Sequence, residues 1–138
     1  MAQSGFDTLA GSSLFFSDDL RAMRAQIRRF VENEIKPRAI AWEEAGAVPR
    51  VVLRQMGALG FFGMRYPEDL GGSGMDQMAS VVLAEELGRS TFAGVAITAL
   101  VHTDMASVHI FNAGTQAQKE HWLPPMIAGE AICAVAVT

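Results

Sequence analysis

His102 and His109 stand seven positions apart in an apolar stretch. That spacing sets them on one helix face but parts their backbones by about 10 Å along the axis, too far to share a metal ion easily. Each reads as a hydrogen-bonded core or rim histidine, with acid–base work as the alternative, and His121 reads as exposed. Glu85 and Glu86 are a carboxylate pair only on paper, because adjacent helical positions point about 100° apart. Glu85 lies four residues before Arg89, which makes a surface ion pair the simpler account. Gly71-Gly72-Ser73-Gly74 invites a phosphate cradle, yet no Lys-Ser/Thr pair follows and the dinucleotide-binding spacing is missing. Met75 also stands where a nucleophile elbow needs glycine, so the segment reads as a structural turn. Arg21, Arg24 and Arg28 form a basic stripe able to meet an anion, but Arg28 has Glu32 four residues on and a solvated face explains it. Met64, Met75, Met78, Met105 and Met126 suit an adaptable pocket or, more simply, core packing.

The elements that must position these groups are helices. Ser17 caps a helix whose first turn carries Asp18 and Asp19 at the positive end of the dipole. Leu20, Met23, Ile27, Phe30, Val31 and Ile35 give it one apolar face as far as about Lys36. Pro37 has no amide hydrogen for Asn33, so a kink or break is expected before a helical pattern resumes over Ala39 to Glu44. Pro49 opens a short helix to about Ala58, and the glycine-rich stretch from Phe61 to Gly74 reads as a long ordered loop. A third helix is expected from Asp76 to Leu87 and a long fourth from Phe92 to Asn112. A fifth starts at Thr115, where Gln118 completes a capping box, and pauses at Pro124-Pro125. Ala131 to Thr138 then changes to small and β-branched residues at strand length, with no upstream strand to pair with. The sequence stops within that pattern, which suggests the front piece of a larger protein.

Composition narrows the function classes. With 138 residues, 50% hydrophobic and 19% charged, one core is expected without staples. Cys133 is the single cysteine, which argues for neither a disulfide framework nor a zinc module, and no metal site is expected. A net charge of -4 has the wrong sign for binding nucleic acid. The longest nearly uncharged stretch, Phe92 to Val101, is about half the ~20 residues of a membrane helix. No basic residue precedes Arg21, so neither a secretory nor an Arg-rich transit signal is read and a cytoplasmic location is the expectation.

Several segments in order carry a resemblance: Tyr66-Pro67-Glu68-Asp69-Leu70-Gly71-Gly72-Ser73-Gly74, Glu85-Glu86-Leu87-Gly88, and Ala113-Gly114-Thr115. They are followed by Gln118-Lys119-Glu120-His121-Trp122-Leu123-Pro124 and the run from Gly129 to Thr138. Over about residues 17–138 the chain resembles the N-terminal part of an acyl-CoA dehydrogenase. The resemblance implies an all-α fold, an N-terminal up-and-down helical domain over 17–130, after an arm at 1–16 and before the first strand, 131–138, of a truncated middle β domain. It implies FAD as cofactor, with Val135, Val137 and Thr138 at flavin-touching positions and the Thr hydroxyl bonded to the isoalloxazine ring. The implied reaction removes an α-proton from an acyl-CoA thioester while a hydride leaves the β-carbon, giving a trans-2-enoyl-CoA. The base falls in a part absent from this chain, so no catalytic residue is carried over. An electron-transfer flavoprotein is the implied redox partner.

In that family the long helix walls the acyl-chain pocket, and Thr98, Val101 and Met105 share one face here at helical spacing. The same face is equally consistent with plain helix packing. The chain alone is expected to be inactive and, through helix faces left uncovered, to form a homo-oligomer. A free-standing helical interaction module is the competing reading, supported by the orphan strand.

Overall fold

The computed structural model describes residues 16–138. The arm expected at 1–16 lies outside the described residues except for Phe16, whose ring sits 4.9 Å from the Arg24 guanidinium carbon. Helix α1 spans Asp18–Phe30. Ser17 Oγ accepts from the Leu20 amide at 3.2 Å, so the expected cap is formed. Leu20, Ile27 and Phe30 are buried along one side, and the apolar stripe continues through Val31 and Ile35 in a π-helical turn, Val31–Ile35. Pro37 explains that widening: Lys36 N–H reaches back five residues to the Val31 carbonyl at 2.9 Å. The Asn33 carbonyl, deprived of its usual donor, meets the Arg38 guanidinium at 3.4 Å. After the break come α2 (Ala39–Glu44) and α3 (Arg50–Ala58), the latter entered through Pro49.

The segment from Leu59 to Gln77 is a folded connection containing one 3₁₀ turn, Glu68–Leu70. Its backbone is tied to itself: Ser73 N–H bonds Gly63 O, Gly74 N–H bonds Tyr66 O, and Met75 N–H bonds Met64 O. Gly72 must be glycine because a Cβ there would collide with the Tyr66 backbone. The run Gly71–Gly74 is therefore a packed turn, as its failure to match phosphate-binding spacing suggests.

Helix α4 spans Met78–Gly88 and lies against α1, burying Val82, Leu83 and Leu87. The charge expectations fail at this contact. Arg24 and Arg28 are not a solvated stripe but meet Glu86, whose relative exposure is 0%. Arg28 holds Glu86 through Nε and a terminal nitrogen at 2.9 and 2.8 Å, while Arg24 reaches it at 3.2 Å. Arg89 approaches the same carboxylate at 3.5 Å, and Glu85 pairs with Arg24 at 2.6 Å rather than with Arg89. Glu32, expected to meet Arg28, pairs with Lys36 at 2.7 Å. The physical reason is the α1–α4 crossing, which brings together residues about sixty positions apart, beyond the reach of rules on helical neighbours. Burial alone would raise the Glu86 pKa. The Arg28 hydrogen bonds and charge, then Arg89 and Arg24, overcome that and hold it below its ordinary value.

Next comes a continuous helix built as α5 (Ala93–Leu100), a π-helical stretch (Val101–Ala106) and α6 (Ser107–Ala113). It runs for 21 residues with mean hydropathy 1.3, long and apolar enough to cross a membrane and longer than the stretch ending at Val101. Its middle carries Asp104, ion-paired with Arg65 at 3.1 Å, and the buried His102, and 33% of the apolar window is buried within this domain.

The last helix, α7 (Gln116–Ile127), starts with the expected capping box: Gln118 N–H bonds Thr115 Oγ1 at 3.3 Å and Thr115 N–H bonds Gln118 Oε1 at 2.8 Å. It does not pause at Pro124-Pro125, which lie inside it. The carbonyls they leave without a donor belong to the exposed Glu120 and His121, where water can serve. Leu123, Met126 and Ile127 close a small second core with Tyr66 and Leu70, beside the main one formed by α1, α3, α4 and α5. Gly129, at φ +71°, lets α7 end directly against the α3 backbone at Leu53.

The expected strand at 131–138 is not formed. Among the described residues there is no strand at all, hence no ladder to define one, and 134–138 are exposed.

Candidate functional site

The long helix from Ala93 to Ala113 has two unlike faces. Inward it presents Val95, Ala99, His102, Thr103, Ala106 and Ser107, all buried. Outward it presents Ile97 and Met105, 59% and 52% exposed, with Thr98 and Val101 half-buried between them. The π-helical stretch sets this division by inserting an extra residue in the turn. As a result His102 is buried while His109, seven positions on, is exposed rather than on the same face.

On the inner side the polar groups satisfy one another. Ser107 Oγ donates to the His102 carbonyl at 2.6 Å, and the Tyr66 hydroxyl lies 2.6 Å from Ser107 Oγ, to which it donates. Burial pushes the Tyr66 hydroxyl above its ordinary pKa, with the Ser107 hydrogen bond opposing. Asp104 accepts from Ser80 Oγ at 2.7 Å and Arg65 at 3.1 Å, while Thr103 Oγ1, 3.2 Å away, shares its one proton with the Ala99 carbonyl at 3.1 Å. These residues border a cavity of about 70 Å³ whose other walls include Phe61, Leu83, Val108 and Phe111. With its carboxylate committed to Ser80 and Arg65, Asp104 acts as a clasp between α4 and the long helix rather than as a free base. Sequence reasoning missed this cluster. Arg65, Ser80 and Asp104 are far apart in the chain, and no local spacing announces them.

His102 makes a second connection. Its Nε2 lies 3.0 Å from the Met126 carbonyl and its Nδ1 accepts from Cys133 N–H at 3.1 Å. The carbonyl can only accept and the amide can only donate, so the imidazole is neutral with its proton on Nε2. Burial lowers its pKa, opposed by the bond to Met126. The Cys133 thiol is half-buried against Met126, and burial raises its pKa. Among the described residues no group of histidine, cysteine and carboxylate side chains could hold a metal ion.

Outside, Thr98 joins Gly94, Val95, Trp42, Ala47 and Val48 around an open groove of about 490 Å³, within the ~300–1,000 Å³ of small-molecule sites. The Thr98 hydroxyl donates to the Gly94 carbonyl at 2.7 Å, which leaves its methyl for apolar contact. A Cβ on Gly94 would meet nothing within 4 Å, so nothing in this domain fills the space beside it. Thr98, Val101 and Met105 are thus brought onto one open stripe that continues into the groove. Of the other methionines singled out, Met64 and Met126 are core residues, and Met75 and Met78 pack at its edge.

Val135, Val137 and Thr138 follow the His102 bond and are exposed, Val137 by 85%. Among the described residues the backbone of 134–138 makes no hydrogen bond. Exposed valines can pack on a flat ring, and the Thr138 hydroxyl can hydrogen-bond a polar edge.

A sequence model described as acyl-CoA dehydrogenase, N-terminal domain, matches residues 17–130. The mouse mitochondrial long-chain specific acyl-CoA dehydrogenase is 34% identical over 131 residues, covering 95% of this chain and 30% of its own. The caffeyl-CoA reductase-Etf complex subunit CarC of Acetobacterium woodii is 35% identical, over 91% of this chain and 33% of its own. A glutaryl-CoA dehydrogenase of Mycobacterium smegmatis solved with FADH2 superimposes with a TM-score of 0.79 at 27% identity, covering 90% of this chain and 32% of that one. The chain spans about a third of the length of the relatives it matches.

Proposed function

This chain belongs to the acyl-CoA dehydrogenase family and matches its N-terminal domain, and from that premise we propose that it forms the helical wall of an FAD-dependent active site that converts an acyl-CoA thioester to a trans-2-enoyl-CoA. The observation that carries this reading is the open apolar stripe of Thr98, Val101 and Met105 on a helix whose inward residues are buried. A helix in a self-sufficient domain turns polar residues outward. This one turns out side chains suited to line an aliphatic chain and exclude water from it.

In the proposed assignment Thr98, Val101 and Met105 bind the acyl chain, whose distal end runs toward the Gly94 groove. Val135 and Val137 pack against the flavin and Thr138 offers it a hydrogen bond. When bound, FAD supplies the electron acceptor for α,β-dehydrogenation. No residue of 16–138 is assigned as the base, and the isolated chain is proposed to be inactive. An electron-transfer flavoprotein is the proposed acceptor of the electrons, self-association the proposed fate of the open faces, and the cytoplasm the proposed location.

The test is enoyl-CoA formation from a saturated acyl-CoA. The FAD-loaded polypeptide as its cell makes it should turn over, and the 138-residue chain alone should not. Turnover by the short chain, or by neither, would contradict the proposal. The alternative of a free-standing interaction module draws on the exposed Ile97, Met105 and Val137. It is favoured if the cell makes a 14.8 kDa polypeptide that forms a stoichiometric oligomer through residues 131–138.

A further inference from the structure

We infer that His102 is a positioning residue: its neutral imidazole latches the backbone at Cys133 to the end of α7 and so aims the exposed residues Val135, Val137 and Thr138. Among the described residues the Cys133 N–H bond to His102 is the last hydrogen bond in the chain, since 134–138 have none. Ahead of it, Ala131 N–H is held by the Pro125 carbonyl at 3.0 Å, and Ala131, Ile132 and Cys133 are half-buried on the two cores. Burial alone keeps these residues near the domain; the hydrogen bond fixes which way the backbone leaves it.

The imidazole is itself clamped. It is 1% exposed, its ring stands edge-on to Phe62 at 4.7 Å, and its other nitrogen is committed to Met126 O. Because both ring nitrogens are engaged by backbone groups of opposite character, only one protonation state serves. A proton added at Nδ1 would face the Cys133 N–H and break the latch while leaving the Met126 bond in place. The other titratable groups on the elements packed around it do not offer that nitrogen a counter-charge. Arg65 and Asp104 are paired with each other, and the Tyr66 hydroxyl is engaged by Ser107. His109, Glu120, His121 and Glu130 are exposed, Lys119 lies over the Phe111 ring, and the Cys133 thiol is held protonated by burial. The latch is therefore closed at neutral pH and opens as the imidazole gains its proton.

The consequence for FAD rests on the flavin-facing reading of 135–138, but the latch itself is measurable without FAD. Amide hydrogen exchange on the 138-residue chain should show a protected Cys133 amide, with the protection lost as pH falls below the ordinary histidine value. A His102→Leu substitution should lower Cys133 protection about tenfold at every pH, the effect of one hydrogen bond of ordinary net strength. His102→Gln keeps an acceptor and a donor at similar separation, so it should restore protection and make it independent of pH. A role in packing alone would be met as well by Leu as by Gln. If His102→Leu impairs folding, the ring ¹⁵N signals of the unaltered chain decide instead. A neutral ring protonated on Nε2 is required, and a proton on Nδ1 at neutral pH overturns the latch. Equal Cys133 protection in the Leu, Gln and unaltered chains also overturns it. Either failure leaves the flavin reading standing, whereas failure of the full polypeptide to bind FAD would remove that reading and leave the latch.

Discussion

The two faces of the long helix reverse the usual arrangement. Inside, where apolar residues are expected, stand His102, Thr103 and Ser107, each bonded to a neighbour. Outside, where water should meet polar groups, stand Ile97, Val101 and Met105. The inner polar network is affordable because every member is satisfied, and it specifies one packing of the long helix on α4 and α7. The outer face contributes nothing to this domain's core. Its composition makes physical sense as a surface that something apolar covers.

That difference can be broken by substitution, and the largest effect should come from the buried charges that fix α4, on which the long helix packs, beside α1. Glu86→Ala leaves Arg24 and Arg28 without their buried carboxylate and should cost about 3–5 kcal/mol in urea unfolding. Removing the Tyr66 hydroxyl, by Tyr66→Phe, strips a donor from Ser107 and should cost about 1–2 kcal/mol. Acid should erode the interior in two stages. His102 has a lowered pKa in the fold, so the unfolded chain binds its proton more readily. Its contribution is complete above its ordinary 6.5 and declines as pH falls below that value, a limb that His102→Gln should flatten. The contribution of Glu86, also lowered, is complete above its ordinary 4.5 and is lost on further acidification; unfolding midpoints across pH measure both. On the outer face Met105→Lys should change stability by no more than about 0.5 kcal/mol while reducing self-association in sedimentation. If it cost as much as Glu86→Ala, the two faces would not differ in the way described.

Much of the helical architecture was legible because it is written locally. The Ser17 cap, the Thr115–Gln118 box and the Pro37 break are rules about residues within four positions of one another, and all appear as expected. The stripe of Thr98, Val101 and Met105 was legible for the same reason. Long-range matters were not. The i,i+4 rule assigns Arg28 to Glu32 and Glu85 to Arg89, but the α1–α4 crossing brings Arg28 and Arg89 to Glu86 and Glu85 to Arg24, while Glu32 pairs with Lys36. Equal spacing put His102 and His109 on one face until the π-helical stretch shifted them apart. The run from Ala131 to Thr138 shows a further limit, since β-branched composition provides strand propensity but no partner. The His102 latch left no trace in the sequence at all, because its partners are backbone groups.

The most direct test of the open stripe is the acyl-chain preference of the FAD-loaded polypeptide carrying Val101→Phe. Filling the stripe at its middle should leave the fold intact and lower kcat/KM for long acyl-CoAs relative to short ones by about 10–200-fold, the discrimination expected when a pocket loses room for methylene groups. An unchanged ratio would show that the acyl chain does not lie along Thr98, Val101 and Met105.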